Sequence, residues 1–226
     1  MSSLAIRLEG PMQAWGTTSR FTERDSGQDP SKSGVVGLLC TCLGRGRKDN
    51  VADLAGLRMA VRVDREGKLQ NDFHTVMETS RASGATGGMV VSNRQYLADG
   101  CFVVFLEGEE SLLAQVLDGL NNPHWLPFLG RKSFPPSSPL LLDRSVSPDG
   151  LESRLSAVPW MGRWWDRDKM DKFRAVVECG REEGEERMDV PLSFSPRRYS
   201  VRYVKTIWLR ADQLTKGGED HVSVKA

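Results

Sequence analysis

The first forty residues carry two patterns of different secondary structure, separated by a long polar segment. Between Leu4 and Glu9, every second residue is a leucine or isoleucine, the period of a strand with one buried face. Gly10-Pro11 ends this strand, because proline cannot donate to a β ladder. Pro30-Ser31 then opens a helix with Ser31 as the N-cap, and apolar residues follow at helical spacing: Val35, Leu38, Leu39 and Cys42.

The polar connection between this strand and helix is about twenty residues long, which exceeds the usual length in compact domains. Such a loop is functional or mobile. Trp15 offers a flat face for a nucleic-acid base, and the basic residues offer partners for phosphates. The N–H groups at the helix start would attract an anion as well. An alternative leaves the loop solvated and folds Trp15 back onto the core. The candidate contacts are Gln13, Trp15, Arg20, Arg24, Lys32 and Ser33.

The balance of charge gives no direct sign of a nucleic-acid partner. The chain has 31 basic and 30 acidic residues, for a net charge of +1. Where the charges lie matters more than their sum. Five glutamates and one aspartate are concentrated between Glu178 and Asp189, so the rest of the chain is basic. We interpret this acidic run as a solvated loop.

Composition excludes several classes of protein. No apolar run approaches the roughly 20 residues of a membrane-spanning helix, and no basic-then-apolar signal segment begins the chain. We therefore expect a cytoplasmic protein with no membrane partner. The three histidines are too scattered for a metal site, and no cofactor is expected. The cysteines fit a reduced compartment as small apolar residues: Cys40, Cys42, Cys101 and Cys179.

Four further elements are indicated in the first 143 residues. Leu57–Val63 alternates as a half-buried strand, and Cys101–Leu106 is a continuous apolar run typical of a central strand. Leu112–Leu120 has helical spacing, and Pro139–Leu142 is a short fourth strand. The resulting order is the α+β pattern of ferredoxin-like or RRM-like domains. In such a domain one sheet face carries the helices and the other is free, and RNA-binding modules commonly use the free face.

An insertion of about residues 71–99 separates the second and third strands. Its glycine-rich centre, Arg81–Gly88, lies between two segments with β tendency, Thr75–Met77 and Met89–Val91. This pattern predicts a long hairpin with a mobile tip, and the alternative is an unstructured surface loop. Residues 144–226 are interpreted as a mostly β C-terminal extension.

Two basic motifs add candidate contacts outside the opening loop. The turn after the first helix combines two glycines with Arg45, Arg47 and Lys48. The later FLGRKS segment places Arg131 and Lys132 beside Ser133, after a glycine that permits a tight backbone. Arginine can hold a phosphate with two hydrogen bonds, and lysine adds a point charge.

Several motifs resemble one family in the same order along nearly the whole chain. They are LEGPMQAWG, SRF and PSKSGVVGLL near the N-terminus, FHT at Phe73–Thr75, RQYLAD at Arg94–Asp99 and FLGRKSFPP at Phe128–Pro136. Together they resemble the Cas-five family of the RAMP superfamily, as found in Cascade, the type I-E CRISPR effector complex. The resemblance implies the RRM-like fold, with the hairpin as the element called the thumb.

The resemblance also implies a function in antiviral defence, as a non-catalytic subunit that caps the 5′ handle of the CRISPR RNA. The implied partners are this RNA, the backbone subunit and the large subunit of Cascade, with target DNA reached indirectly. His74 and Arg94 join the RNA-binding candidates through their motifs. One alternative is a metal-independent endoribonuclease built on His74, Tyr96, Lys32 and Lys132. Another is a protein–protein adaptor that contacts no RNA.

Overall fold

The computed structural model describes residues 1–17, 23–78, 80, 83–84, 87–163 and 171–214. These residues form two sheets and several helices. The strands are β1 Ser2–Glu9, β2 Met12–Gln13, β3 Glu23–Arg24, β4 Arg58–Arg65, β5 Lys68–Val76, β6 Val90–Ala98, β7 Cys101–Gly108, β8 Lys172–Cys179, β9 Glu185–Phe194 and β10 Arg197–Arg210. The α-helices are α1 Lys32–Cys42, α2 Ala52–Gly56, α3 Glu110–Asn121 and α4 Leu151–Ala157, and a 3₁₀ helix spans Ala211–Gln213.

The larger sheet has the strand order β1-β7-β4-β8-β10-β9, and every neighbouring pair is antiparallel. β1, β4 and β7 are the first three strands that the sequence predicts. The predicted fourth strand, Pro139–Leu142, is reduced to one isolated bridge beside β1, between Leu141 and Ile6. Across the sheet, the predicted strands therefore lie in the order fourth (Leu141), first (β1), third (β7) and second (β4). This order is compatible with a ferredoxin-like domain. The α+β prediction is confirmed.

The first helix lies where the periodicity places it. It spans Lys32–Cys42, and the Ser31 Oγ accepts a hydrogen bond of 3.3 Å from the Gly34 N–H. This confirms Ser31 as the N-cap, since a capping hydroxyl satisfies one of the unpaired N–H groups of the first turn. The four predicted core residues of the helix, Val35, Leu38, Leu39 and Cys42, are buried with the apolar side chains of β1.

The opposite face of the sheet is covered, so the expectation of a free face is wrong. A second apolar cluster fills it, in which Phe105 of β7 and Ala60 of β4 pack with Leu151 and Leu155 of α4. The reason is visible in the sequence of β7, which is apolar at both odd and even positions. A strand of this kind must be buried on both sides. The part of this face formed by β4 and β7 is therefore covered by the protein itself.

The C-terminal strands continue the larger sheet. β8 pairs with β4 through partners such as Val61 and Val176, and β10 lies between β8 and β9. The predicted mostly β extension is confirmed in its content, although β8 was not predicted. Trp160 donates from Nε1 to the Asp64 carbonyl at 2.9 Å, while Trp164 and Trp165 lie outside the described residues. A boundary between residues 143 and 144 stays a prediction.

Asp189 at one end of the acidic run is buried and Glu178 at the other end is partly buried, so the interpretation of the run as a solvated loop is wrong there. Glu178 lies near the end of β8, Asp189 lies in β9, and both face the start of α1. The Lys32 Nζ lies 2.8 Å from the Glu178 Oε1. The Arg202 guanidinium donates to Asp189 at 2.6 Å and to Glu178 at 3.0 Å. Two cations and two carboxylates thus offset one another in a buried cluster, called the ion network below.

Replacing Asp189 by asparagine should destabilise the fold strongly. The uncharged amide would leave the positive charges of Arg202 and Lys32 with one carboxylate between them, in a site that excludes water. Removing one partner of a buried pair costs about 3–5 kcal/mol. Urea unfolding followed by circular dichroism measures this loss. As the control, Asp53→Asn removes the carboxylate of an exposed pair with Arg45, and about 0–1 kcal/mol is expected. Equal, small losses in the two variants would contradict a structural role for the ion network.

Candidate nucleic-acid interface

The insertion is a long β-hairpin, which confirms the prediction and rules out an unstructured loop for its described strands. β5 and β6 pair antiparallel from Lys68↔Ala98 to Val76↔Val90, so the hairpin begins earlier than predicted. β6 also pairs with β2 and with β3 on its other edge, and these strands form the smaller sheet. The hairpin base is therefore joined to the opening loop. Much of the tip lies outside the described residues, and its mobility stays a prediction.

Trp15 and Gln13 support the opening loop from inside. Trp15 is 1% exposed, and its indole N–H donates to the Gln13 Oε1 at 3.0 Å. Gln13 in turn donates from Nε2 to the Gly100 carbonyl at 2.8 Å. A Cβ at Gly34 would lie 2.7 Å from the indole ring, so the tryptophan packs directly on α1. The expectation that Trp15 offers a free face to a base is wrong, and both side chains are core residues here.

The start of α1 is likewise occupied by the protein itself. The Lys32 backbone N–H donates to the Asp189 Oδ2 at 2.8 Å, where the sequence predicts room for a phosphate. Burial lowers the pKa of the Lys32 ammonium, although the adjacent Glu178 carboxylate opposes this shift. Ser33 is partly buried, with its Oγ 3.4 Å from that of Ser31. Lys32 is thus enclosed in the ion network, and Arg20 lies outside the described residues.

The FLGRKS segment is held against the opening loop by its glycine. Gly130 has φ +85°, and a Cβ there would lie 1.7 Å from the Ala14 carbonyl oxygen. The Ala14 N–H also donates to the Leu129 carbonyl at 3.1 Å, which fastens the two chain segments together. The Arg131 side chain then reaches the hairpin at the Gln95 carbonyl, while Lys132 and Ser133 are exposed.

Three arginines lie near one another beside the middle of the hairpin. Together they are called the arginine cluster below: Arg24, Arg94 and Arg131. Arg24 lies opposite Arg94 in the parallel pairing of β3 with β6. The Arg131 guanidinium donates to the Gln95 carbonyl at 2.6 Å and lies 5.4 Å above the Phe134 ring. Burial lowers the pKa of Arg131, and the positive charges of Arg94 and Arg24 lower it further. The structure thus gathers cations from three separate parts of the sequence.

The predicted basic turn lies apart from this cluster, whereas His74 lies on the hairpin itself. The turn with Arg45, Arg47 and Lys48 follows the far end of α1, whose eleven residues span about 16 Å. Arg45 makes a two-pronged ion pair with Asp53 at 2.6 Å, whereas Arg47 and Lys48 are exposed. His74 is exposed on β5, with its Nδ1 3.2 Å from the Asp72 Oδ2.

Two polar residues that connect the interface were not predicted. Gln95 receives the Arg131 hydrogen bond on its backbone carbonyl, and its side-chain Oε1 accepts from the Ser26 N–H at 3.4 Å. The Ser26 Oγ in turn accepts a hydrogen bond of 3.1 Å from the backbone N–H of Trp15. Gln95 lies within the RQYLAD motif, and this motif was the one feature of the sequence that could have indicated its role. No sequence feature indicated the role of Ser26, because that role depends on the fold of the loop.

The residues of the endoribonuclease alternative are not assembled into one site. Lys32 is enclosed in the ion network. In the hairpin, Tyr96 pairs with Gln70, and His74 pairs with Ser92. The positions of Tyr96 and His74 are therefore four residues apart along the strands, a distance of about 13 Å. Within the part of the chain that the structure describes, no group of three or more His, Cys, Asp or Glu residues could hold a metal ion. No described helix has the length and apolar character needed to cross a membrane.

Comparison with known proteins gives one consistent match. The family model described as CRISPR-associated protein (Cas_Cas5) matches residues 3–205. The curated CRISPR system Cascade subunit CasD of Escherichia coli (strain K12) is 29% identical over 218 residues, which are 89% of this chain and 93% of that protein.

Two solved structures support the same assignment. A chain described as "CRISPR RNA-guided surveillance complex" aligns with a TM-score of 0.82 at 34% identity, covering 97% of this chain and 95% of the other. A chain described as "Crystal structure of Cas protein" aligns with a TM-score of 0.77 at 38% identity, covering 95% and 98%.

Trp15→Ala should unfold the protein readily, because the indole is enclosed and its N–H is bonded. Truncating a buried tryptophan costs about 3–5 kcal/mol. Trp208→Ala is the matched control, since that indole is 61% exposed and its loss should change stability by no more than about 0.5 kcal/mol. Thermal melts of both variants compare them directly. A Trp15→Ala protein that melts like the wild type would show that the indole is dispensable for packing.

Proposed function

Because the chain belongs to the family of CRISPR-associated proteins described as Cas_Cas5, we propose that it binds CRISPR RNA as a subunit of a Cascade-type effector complex. In this proposal it caps the 5′ handle of the guide RNA, in antiviral defence. Support comes from its likeness to the CasD subunit and to a chain of an RNA-guided surveillance complex, each along most of its length.

The observation that carries the proposal is the convergence of three chain segments on one basic surface. The opening loop contributes Arg24, the hairpin contributes Arg94, and the FLGRKS segment contributes Arg131 and Lys132. These segments are also the ones whose motifs resemble the family. A net charge of +1 is compatible with such a surface, since the carboxylates of the acidic run turn partly inward to the ion network.

The proposed RNA contacts are therefore a subset of the predicted residues. The residues that we keep as proposed RNA contacts are Arg24, His74, Arg94, Arg131, Lys132 and Ser133. Gln13, Trp15 and Lys32 would act indirectly, by holding the opening loop in place. The exposed pair Arg47 and Lys48 would lie outside the handle contacts, since the length of α1 separates them from the arginine cluster.

The protein partners follow from the same premise. We assign it to the cytoplasm, where it would contact the backbone subunit and the large subunit and reach target DNA only through the complex. The hairpin offers apolar surface for such contacts, because Leu69 and Phe73 lie on one face of β5 and Phe73 is 69% exposed. Exposed aromatic residues are frequent anchors of protein interfaces.

We propose further that the subunit does not cut RNA. A metal-independent cleavage site needs its acid, base and charge-stabilising groups within hydrogen-bond reach of one phosphate. His74 and Tyr96 are about 13 Å apart along the hairpin, and Lys32 is enclosed. Metal-independent cleavage is thus the less supported alternative. A pure adaptor role would leave the arginine cluster without a purpose.

Removing a cation of the cluster should weaken RNA binding in a salt-dependent way. The experiment compares Arg131→Gln with Arg47→Gln, using fluorescence anisotropy with a repeat-derived RNA at several salt concentrations. For single strands, each lost phosphate contact lowers the slope of log Kd against log salt by about 0.7. We expect that change for Arg131→Gln and none for the control Arg47→Gln.

The same samples, run on a denaturing gel, separate the alternatives. Intact RNA with wild-type binding is the expected result. Cleavage at one position, lost in His74→Ala, would favour the endoribonuclease. Absence of any RNA binding by the wild-type protein would contradict the proposed function and favour the adaptor.

A further inference from the structure

The arginine cluster differs from the largely buried arginine sites on the C-terminal strands in its lack of a counter-charge. Arg174 and Arg187 share the Asp29 carboxylate, and Arg202 is matched by Asp189. In the described parts of the chain, by contrast, no carboxylate lies within ion-pair distance of Arg24, Arg94 or Arg131. Their hydrogen bonds go to neutral groups. Arg94 donates to the Ser92 Oγ at 3.1 Å and Arg131 to the Gln95 carbonyl at 2.6 Å.

Two carboxylates that act on Arg131, Asp25 and Asp72, each have another partner. Asp25 follows Arg24 in the chain, and its Oδ2 accepts from the Thr17 N–H at 3.1 Å. Asp72 lies opposite Arg94 in the hairpin pairing, and its Oδ2 is 3.2 Å from the His74 Nδ1. Both carboxylates partly offset the repulsion felt by Arg131 without neutralising it.

This arrangement costs stability in the absence of a ligand. Like charges directly opposite one another in neighbouring strands are destabilising. Here the repulsion acts across a two-residue strand, since β3 joins β6 only through Glu23↔Asn93 and Arg24↔Arg94. Guanidinium groups stay charged in proteins, so a change of protonation cannot relieve it. An anion can, because arginine binds phosphate oxygens with paired, charge-assisted hydrogen bonds.

We propose that the arginine cluster is an anion-dependent clamp, in which a phosphate group of the bound RNA supplies the missing negative charge and fastens residues 23–24 onto β6. This inference rests on the proposed RNA-binding function and adds a consequence to it. Residues 23–24 already pair with β6 in the ligand-free structure. Binding of RNA would strengthen this pairing and make the junction of the opening loop with the hairpin more rigid.

Hydrogen–deuterium exchange of the full chain tests the clamp, with inorganic phosphate and a short repeat-derived RNA as the two probes. Amides of residues 23–26 and 92–95 should exchange more slowly with either probe. Arg24→Gln removes one of the repelling charges. The variant should therefore show more protection than wild type without anion, little further gain with anion, and roughly tenfold weaker RNA binding. Arg47→Gln, at the far end of α1, should behave like the wild type in all three respects.

The outcomes separate the clamp from the function on which it rests. RNA that binds with wild-type strength but leaves exchange at 23–26 and 92–95 unchanged would overturn the clamp and leave the RNA-binding function standing. Protection by phosphate without any binding of RNA would support an anion clamp and contradict the RNA function. If Arg24→Gln unfolds, Arg94→Gln provides the same test from the hairpin side. Faster exchange of these amides in Arg24→Gln than in the wild type, both without anion, would contradict the proposed repulsion between the arginines.

Discussion

The position of the opening loop depends on the ion network at the start of α1. Lys32 and Arg202 face Glu178 and Asp189 there, and the Lys32 backbone N–H is bonded to Asp189 as well. One residue group thus joins the first helix to three C-terminal strands. Since these charges are largely removed from water, the four groups stabilise the fold only together. Asp29, just before the helix, is held in the same way by Arg174 and Arg187.

From this anchor a chain of contacts leads to the proposed RNA surface. Trp15 packs on α1 and bonds to Gln13, which bonds to Gly100 between the hairpin and the larger sheet. Ala14, between them, holds the FLGRKS segment through Leu129. The residues that the motifs made prominent thus divide into two groups. Buried residues fix the backbone, and the cations that this backbone presents form the arginine cluster.

Local patterns were sufficient to predict much of the fold. Alternation identified β1 and β4, and helical spacing with a capping serine identified α1, because these signals depend on neighbours within a few residues. The hairpin was predicted from a glycine-rich centre flanked by β-forming residues. The coverage of the second sheet face was missed, although the unbroken apolar run of β7 is a sign of burial on both sides.

The candidate site was less predictable because its contacts are distant in sequence. Lys32 was interpreted as exposed, yet it binds a carboxylate 146 residues away. For Trp15 the sequence left open a base contact or a place in the core, and the structure has it in the core. No rule of spacing connects the acidic run to the first helix, so its buried ends could not be recognised. Residues whose role needs only exposure, such as Lys132, were easier to predict than residues whose role depends on a partner.

Photo-crosslinking in the assembled complex tests the central proposal most directly. A guide RNA with 4-thiouridine at single positions of the 5′ handle would be crosslinked, and the attached peptides identified by mass spectrometry. The account predicts crosslinks to peptides that contain Arg24, Arg94 or Arg131, and none to the turn of Arg47 and Lys48. Crosslinks that map to that turn, or only to other subunits, would contradict it.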